Sequence, residues 1–349
     1  MEEKALRLSA VFLMILTAVS FVLLPKLPAL HTWEAEAREE RIAEEEFAQS
    51  QVTMQNLKIK EQNEAAGAKG ELSIRLPEGV TGDQIAVSSD YVTQTIRVEI
   101  PQADRTYFDS YPVLGNSDYI DGLSYTRQGE TGVIEVTTNK VYELQTEYDT
   151  QTFYFNFLTP HEVYDKVVVI DAGHGGRAVG ANKQGINEKD IDLAIVLKLK
   201  EIFDNSDENI GVYYTRTDDS NPTFDQRVQL ANKSDADLFI SIHNNSTRSG
   251  RMSGTSGTQV MYDETSEASR QFAQICLEEV TGRIGSRDKG LVEGDSIYII
   301  RTSEVPVALI EVGFMTNKDE LEKLNSDAYQ METAEGVYQA VLRAFEEGY

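Results

Sequence analysis

The chain has 349 residues, which exceeds one typical domain and fits two globular domains with additional segments. Hydrophobic residues make up 40% of it and include 16 Tyr and 13 Phe, a composition that excludes global disorder. The net charge is −26, with 16 acidic against 5 basic residues in 71–165 and 31 against 19 in 166–349. Because acidic surfaces repel a polyanion, this charge disfavours nucleic-acid binding.

The chain begins with a long apolar segment. Residues 8–24 read LSAVFLMILTAVSFVLL, and further apolar residues follow to Leu30, close to the length that spans a bilayer. A cleaved signal peptide is the alternative, but the following run, LPKLPALHTW, contains no clear small-x-small cleavage site. We therefore expect residues 8–30 to be a single-pass transmembrane anchor, with the rest of the chain extracytoplasmic.

The next segment, residues 31–70, is polar and free of helix breakers over most of its length. It is rich in Glu, Ala, Gln and Lys and has no Gly between Ala29 and Gly67. This composition predicts an exposed helical stalk or linker. Apolar heptads are not sustained, so a coiled coil is the less favoured interpretation.

Residues 71–160 alternate short β-rich runs with turn residues. The runs are Leu72–Leu76, Thr95–Ile100, Gly132–Thr137 and Thr152–Leu158. This pattern predicts a small all-β domain. Since the region lacks clustered metal-type ligands, binding is a better expectation for it than catalysis.

Residues 166–349 alternate strands with helices. Apolar runs predict strands at Val167–Ile170, Val212–Thr215, Leu238–His243, Thr258–Met261, Ser296–Ile300 and Val307–Val312. Helices are predicted near Lys189–Phe203, Phe224–Ala231, Ser266–Thr281 and Ala334–Glu347. This order predicts an α/β domain with a mostly parallel twisted sheet and helices on both faces. Functional residues are then expected at the carboxyl ends of the strands.

Three metal-type side chains lie near such strand ends. His174 follows the first strand in DAGHGG, His243 ends a strand in SIHNNS, and Glu188 begins the helix after the first strand. Two imidazoles and one carboxylate leave a fourth position open, as catalytic zinc requires. Each residue alone has a simpler explanation: a hydrogen-bonded histidine, or a glutamate that complements a helix dipole. Their convergence on one crevice favours a metal site.

Glu311 lies within the otherwise apolar run VALIEVGF. A carboxylate is costly to bury there unless it has a partner or a role. One interpretation is a glutamate that faces solvent at the strand end. The other is a general base whose pKa is raised by apolar surroundings and which activates a zinc-bound water.

The segment from Val167 to the C-terminus resembles the zinc-dependent N-acetylmuramoyl-L-alanine amidases of bacterial cell-wall turnover. The matching runs are VVVIDAGHGG, INEKDIDLAI, VYYTRTDD, QRVQLANKSDADLFISIHNNS and PVALIEVGFMTN. The resemblance implies zinc ligation by His174, Glu188 and His243, and a catalytic role for Glu311. It also implies hydrolysis of the bond between N-acetylmuramic acid and L-alanine in peptidoglycan by a zinc-activated water.

Two departures from the family pattern stand out. The loop RAVGANKQGIN between His174 and Glu188 lacks the acidic residue expected soon after GHGG, and Asn244 follows His243 where a small residue is commoner. Residues 71–160 are similar in pattern to the AMIN-type domains that precede some of these amidases. Two other functions stay open from the sequence: a zinc peptidase that cuts within the stem peptide, and a non-catalytic wall-binding protein. The sequence identifies no protein partner.

We also expect the active site to be free of any plug from its own chain. Some amidases of this kind carry a helical insertion after the second zinc histidine, and a glutamate of that insertion covers the metal. Here the corresponding connection, residues 244–257, reads NNSTRSGRMSGTSG and contains no Asp or Glu. It is therefore unable to supply such a carboxylate.

Overall fold

The computed structural model describes residues 27–61 and 70–349, with side chains from Glu34 onward. Residues 1–26, and with them most of the expected membrane segment 8–30, lie outside the described residues. Helix α1, Leu27–Ser50, begins the described part. Among the described helices, none is both long enough and apolar enough to cross a membrane.

Helix α1 lies in the segment predicted as an exposed helical stalk, residues 31–70, but one face of the helix is covered rather than exposed. It lies against the α/β part of the chain, where Ala43 is only 2% exposed. The first turns of two helices there donate backbone hydrogen bonds to its glutamates: Phe224 N donates to Glu40 and Tyr298 N to Glu36. A polar composition predicts solvent exposure only when no matching donors lie nearby, and here such donors are present.

The next region is built from strands. In chain order these are β1 Gln55–Asn56, β2 Lys60–Glu61, β3 Leu72–Arg75, β4 Ala86–Asp90, β5 Thr95–Pro101, β6 Leu114–Gly115, β7 Ile120–Gln128, β8 Thr131–Thr138, β9 Glu143–Tyr148 and β10 Thr152–Leu158, with helix α2, Arg105–Ser110, after β5. They form two five-stranded sheets in the orders β1–β7–β8–β5–β4 and β2–β6–β3–β10–β9. Alternate residues of β5 and β10 are buried, as the period of a strand requires, and both sheets contribute to one apolar core.

The rest of the chain alternates strands and helices. The elements are α3 Pro160–Val163, β11 Lys166–Ala172, β12 Asn182–Lys183, β13 Ile186–Asn187, α4 Glu188–Asp204, β14 Ile210–Tyr214, α5 Phe224–Lys233, β15 Leu238–Asn245, β16 Thr258–Tyr262, α6 Glu267–Ile284, β17 Asp288–Glu293, α7 Tyr298–Arg301, β18 Val307–Phe314, α8 Lys318–Leu324 and α9 Asp327–Glu346. Six strands form one sheet in the order β14–β11–β15–β18–β16–β17. Strands β14, β11, β15 and β18 run parallel to one another, and β16 is antiparallel to β18.

Helices cover both faces of this sheet. One apolar core joins strand residues such as Val168 and Ile170 to α4, α6 and α9. The alternate residues Val167 and Val169 pack on the other face, with α5 and α7. Because β11 lies between β14 and β15 and is buried on both faces, it contains the unbroken apolar run Val167–Ile170.

The strand predicted at Ser296–Ile300 is wrong, because this run contains the short helix α7. Its buried Ile299 and Ile300 join the same core that a strand would have joined. A short apolar run satisfies either structure, so periodicity cannot separate them. The strand at this edge is instead β17, whose residues are partly buried in the middle and exposed at both ends.

Candidate metal centre

Strand β11 ends at Ala172, and a turn that needs glycine then places His174 at the carboxyl ends of the parallel strands. A Cβ on Gly173 would lie 2.4 Å from Cε1 of His243, so only glycine permits the two segments to approach this closely. His174 itself has a positive φ of 57°. The two imidazole rings are 4.8 Å apart between centroids, in an edge-to-face arrangement.

Glu188, the first residue of α4, lies between the two imidazoles. Its Oε1 is 3.1 Å from Nε2 of His174 and 3.2 Å from Nδ1 of His243. Its Oε2 accepts a hydrogen bond of 2.7 Å from the backbone N–H of Ala181. The structure thus brings together the three ligands predicted from sequence, on three different elements.

The charges in this cluster are strongly coupled. Burial favours the neutral imidazole of His174, but the carboxylates of Glu188 and Glu39 outweigh it and raise its pKa well above the ordinary value. Burial would raise the pKa of Glu188, but His174 and His243 lower it far below the ordinary value. A buried carboxylate that attracts positive charge from both sides suits a cation.

Asp192 belongs to the same cluster and was missed in the sequence. One ligand atom from each of four residues, His174, Glu188, Asp192 and His243, lies within 4.8 Å of all the others. The available signal was its position four residues after Glu188, which places both carboxylates on one helix face. Its Oδ2 is buried and lacks a hydrogen-bond partner within residues 27–61 and 70–349.

Asn244, noted above as a departure from the family pattern, joins these carboxylates. Its backbone N–H donates to Oε1 of Glu188 at 3.0 Å, and its side-chain amide donates to Oδ1 of Asp192 at 2.7 Å. Such contacts behind a ligand fix its orientation. The backbone of the residue after His243 therefore helps to position Glu188, and the asparagine side chain adds a contact to Asp192 that a small side chain would lack.

Glu311 lies on β18, in register with His243 on the neighbouring strand β15. Its Oε2 is buried and, among the described residues, accepts no hydrogen bond. Burial, reinforced by the charge of Glu188, raises the pKa of Glu311 to about 8, although His174 opposes the shift. The alternative of a solvent-facing glutamate does not fit this environment.

Two buried arginines, not recognised from the sequence, hold the loop that carries His174. Arg227 donates to Oδ1 of Asp171 at 2.6 Å and to the carbonyl oxygen of His174, also at 2.6 Å. Arg216 donates to the carbonyl oxygens of Ala172 and Gly173 at 2.9 and 2.7 Å. Both arginines lie in runs that carry the family resemblance, so they could have been noticed there.

The expectation of an unplugged site is wrong. The connection 244–257 supplies no carboxylate, but helix α1 does: Oε2 of Glu39 is 3.1 Å from Nδ1 of His174. The acidic run EAEAREERIAEEEF contained this residue. Its target lies 135 residues further along the chain, and no local pattern identifies such a pairing.

The fold and the cluster together define an α/β protein whose histidines and carboxylates could bind a metal ion at the carboxyl edge of a parallel sheet. Comparison with known proteins then gives the family. The family described as Amidase_3, N-acetylmuramoyl-L-alanine amidase, matches residues 168–343, about half of the chain. The chain belongs to this family, which confirms the resemblance to N-acetylmuramoyl-L-alanine amidases found in the sequence and makes it a hydrolase.

Individual relatives include one uncharacterized protein and several amidases. The uncharacterized protein YqiI of Bacillus subtilis (strain 168) is 37% identical over 182 residues, covering 50% of this chain and 83% of YqiI. The N-acetylmuramoyl-L-alanine amidase CwlM of Bacillus licheniformis is 32% identical over 178 residues, covering 51% and 68%. The crystal structure of an N-acetylmuramoyl-L-alanine amidase from Clostridium difficile 630 is 33% identical, with a TM-score of 0.50, covering 53% of this chain and 98% of that one.

Proposed function

We propose that this chain hydrolyses the amide bond between N-acetylmuramic acid and L-alanine in peptidoglycan, with one zinc ion held by His174, Glu188 and His243. Family membership supports the substrate and the bond. One observation carries the metal site: a single oxygen of Glu188 lies within 3.2 Å of both imidazoles.

The donor set fits zinc. Two imidazoles and one carboxylate form a three-ligand set of the kind that catalytic zinc uses, with a fourth position left open. Asp192 acts behind this set, through Asn244, to hold Glu188 in place. When bound, zinc would polarise the scissile carbonyl and lower the pKa of water, the two functions that metal-assisted hydrolysis needs.

Glu311 is the proposed acid–base residue. It accepts a proton from the attacking water and then donates it to the departing nitrogen of L-alanine. A residue that must both take and release a proton works best with a pKa near the working pH, and its burial raises its pKa to about 8. Its free Oε2 leaves the side chain available for that transfer.

The other regions would place the enzyme at its substrate. We propose that residues 8–30 anchor the chain in the cell membrane with the catalytic part outside, and that the AMIN-like residues 71–160 orient it on the wall. N-terminal sequencing of the membrane fraction tests the anchor, because a mature chain that starts near residue 31 would contradict it. Binding to purified peptidoglycan, compared between the whole chain and a chain lacking residues 71–160, tests the second.

Mass spectrometry of peptidoglycan digested by the full chain with zinc tests the function. Amidase activity frees a lactyl carboxylate on the glycan and an amino terminus on L-alanine. The masses identify the broken bond regardless of the rate, so slow turnover does not obscure the answer. Products cut within the stem peptide would instead indicate a peptidase, and Glu311→Gln serves as the inactive control.

A further inference from the structure

The face of α1 that meets the catalytic part is acidic rather than apolar. The residues that make its contacts recur every three or four positions, which places them on one side of the helix. They are Glu36, Glu39, Glu40, Ala43 and Glu46. We call this set the acidic face. Its affinity for the surface below must come from hydrogen bonds and charge, since Ala43 is its one apolar member.

The surface under the acidic face offers matching donors. At the start of α5, the backbone N–H of Phe224 donates to Glu40 at 2.6 Å, and the positive end of this ten-residue helix favours a carboxylate there. The backbone N–H of Tyr298 donates to Glu36 at 2.7 Å. Burial raises the pKa values of both Glu36 and Glu40. Burying these carboxylates is therefore unfavourable unless donors such as these backbone N–H groups bind them.

The far end of the acidic face is held by Arg177, in the loop that follows His174. Its backbone N–H and Nε both donate to Oε1 of Glu46, at 3.0 and 3.1 Å. Asn221 donates to the other oxygen of Glu46 at 3.0 Å. A Cβ on Gly176 would lie 2.6 Å from that same oxygen, so a glycine is what admits the carboxylate.

Between these two ends, α1 lies over the crevice. There Oε2 of Glu39 contacts Nδ1 of His174, a proposed zinc ligand, at 3.1 Å. The helix is also tethered nearby, because β1 pairs with β7 and Leu57 donates to the carbonyl of Leu123. A tethered segment has a high effective concentration at its site and rebinds readily after release.

We propose that α1 is an intramolecular inhibitor, which docks its acidic face over the metal centre and must leave before peptidoglycan can enter. The docking of α1 is inferred from the contacts alone, whereas the inhibition rests also on the proposed amidase function. Control of the enzyme then lies in the equilibrium between docked and released α1.

The first test removes docking contacts that touch neither ligand nor proposed base. Glu36→Ala/Glu40→Ala deletes two charge-assisted hydrogen bonds and should shift the equilibrium toward release by on the order of 10²-fold. In the full chain with zinc, hydrogen exchange of the α1 amides and turnover of a soluble muropeptide should each rise at least about tenfold. Glu44→Ala is the matched control, since Glu44 is exposed on the same helix.

The second test displaces α1 by a different physical effect. Ala43 is buried against the catalytic part, so Ala43→Arg introduces a long charged side chain where there is no space for it. It leaves every glutamate in place. The expected result is again faster α1 exchange together with faster turnover, of similar size to the first variant.

The outcomes separate the proposals. Unchanged exchange in both variants would overturn docking, and faster exchange with unchanged turnover would overturn inhibition. A third outcome is that no form of the chain cleaves muropeptide, although hydrogen exchange is still faster in the variants. That result would contradict the amidase function and the inhibition that depends on it, and it would support docking. Faster exchange with faster turnover in both variants, and neither in Glu44→Ala, supports the whole proposal.

Discussion

Two carboxylates two strands apart in the same sheet have opposite environments. Asp171 on β11 is fully enclosed, yet it accepts hydrogen bonds from Arg227, Thr215 and Ser241 at 2.5–2.6 Å. Burial alone would raise its pKa, but these partners, chiefly Arg227, lower it to about 2. Glu311 on β18 has a buried oxygen without a partner in the described part of the chain, and burial raises its pKa to about 8.

The difference distinguishes a carboxylate that stabilises the fold from one that is available for proton transfer. A carboxylate whose acceptor positions are satisfied is held as an anion and stabilises its surroundings, as Asp171 does for the loop that carries His174. A carboxylate left without partners is destabilising in the resting protein and remains free to exchange a proton. The acidic face of α1 lies between the two kinds: backbone N–H groups donate to Glu36 and Glu40, yet burial raises the pKa of both, and Oε2 of Glu36 is buried without a hydrogen-bond partner among the described residues.

The largest expected effect comes from removing a proposed zinc ligand. This change tests whether Glu311, whose Oε2 has no hydrogen-bond partner among the described residues, acts together with a metal centre. His243→Ala leaves one imidazole and one carboxylate, too few to hold zinc in a catalytic geometry. We expect loss of stoichiometric zinc and of detectable turnover, measured by metal analysis and muropeptide hydrolysis. His161→Ala is the control, because His161 is exposed and contacts the carbonyl of Asp235. A zinc-loaded, active His243→Ala protein would refute the ligand assignment.

The second prediction isolates Glu311 from the ligands. Glu311→Gln keeps the shape of the side chain but cannot accept a proton, so turnover should fall on the order of 10²–10⁴-fold. Zinc should stay bound at one ion per chain, which metal analysis checks. An exposed glutamate on α8 gives the control, Glu322→Gln, with unchanged turnover. Loss of zinc in Glu311→Gln would make Glu311 a ligand instead.

The sequence alone predicted how the core of the site assembles. Parallel strands must bring their carboxyl ends to one edge, so His174 and His243 had to meet there, and helix α4 had to begin beside them with Glu188. Glu311 could be singled out because a charge inside an apolar run is unusual. These inferences use only local pattern and sheet geometry.

The remaining features depend on partners distant in sequence. Arg227 stabilises the loop at His174, although the two residues are 53 positions apart in the chain. The backbone N–H of Tyr298 donates to Glu36 of α1, which lies 262 positions earlier. The acidic residues of α1 read as an exposed stalk because solvent is the default partner for glutamate. Only the fold shows that backbone donors and Arg177 replace the solvent.

The third prediction disrupts the partnered carboxylate. Asp171→Asn leaves the guanidinium of Arg227 buried without a counter-charge, which typically costs about 3–5 kcal/mol in the free energy of unfolding. Urea unfolding measures this change. The control is the exposed ion pair between Arg105 and Asp109, at 2.8 Å, where Asp109→Asn should cost at most about 1 kcal/mol. Equal effects in both variants would mean that the buried pair does not anchor the loop.

The last prediction uses pH and applies to the metal-free protein. Because the folded pKa of Glu311, about 8, lies above its ordinary value of 4.5, the folded state keeps a proton that the unfolded state has lost between these pH values. Stability therefore falls as pH rises through this window, by about 1.4 kcal/mol per unit and about 3 kcal/mol by pH 7. Glu311→Gln removes this dependence, so its stability relative to wild type should increase steadily from pH 5 to pH 7.5. Urea unfolding with a chelator present measures the difference, and Glu322→Gln should give a flat one. A flat difference for Glu311→Gln as well would show that Glu311 is ionised in the folded protein, and the contrast with Asp171 would then be lost.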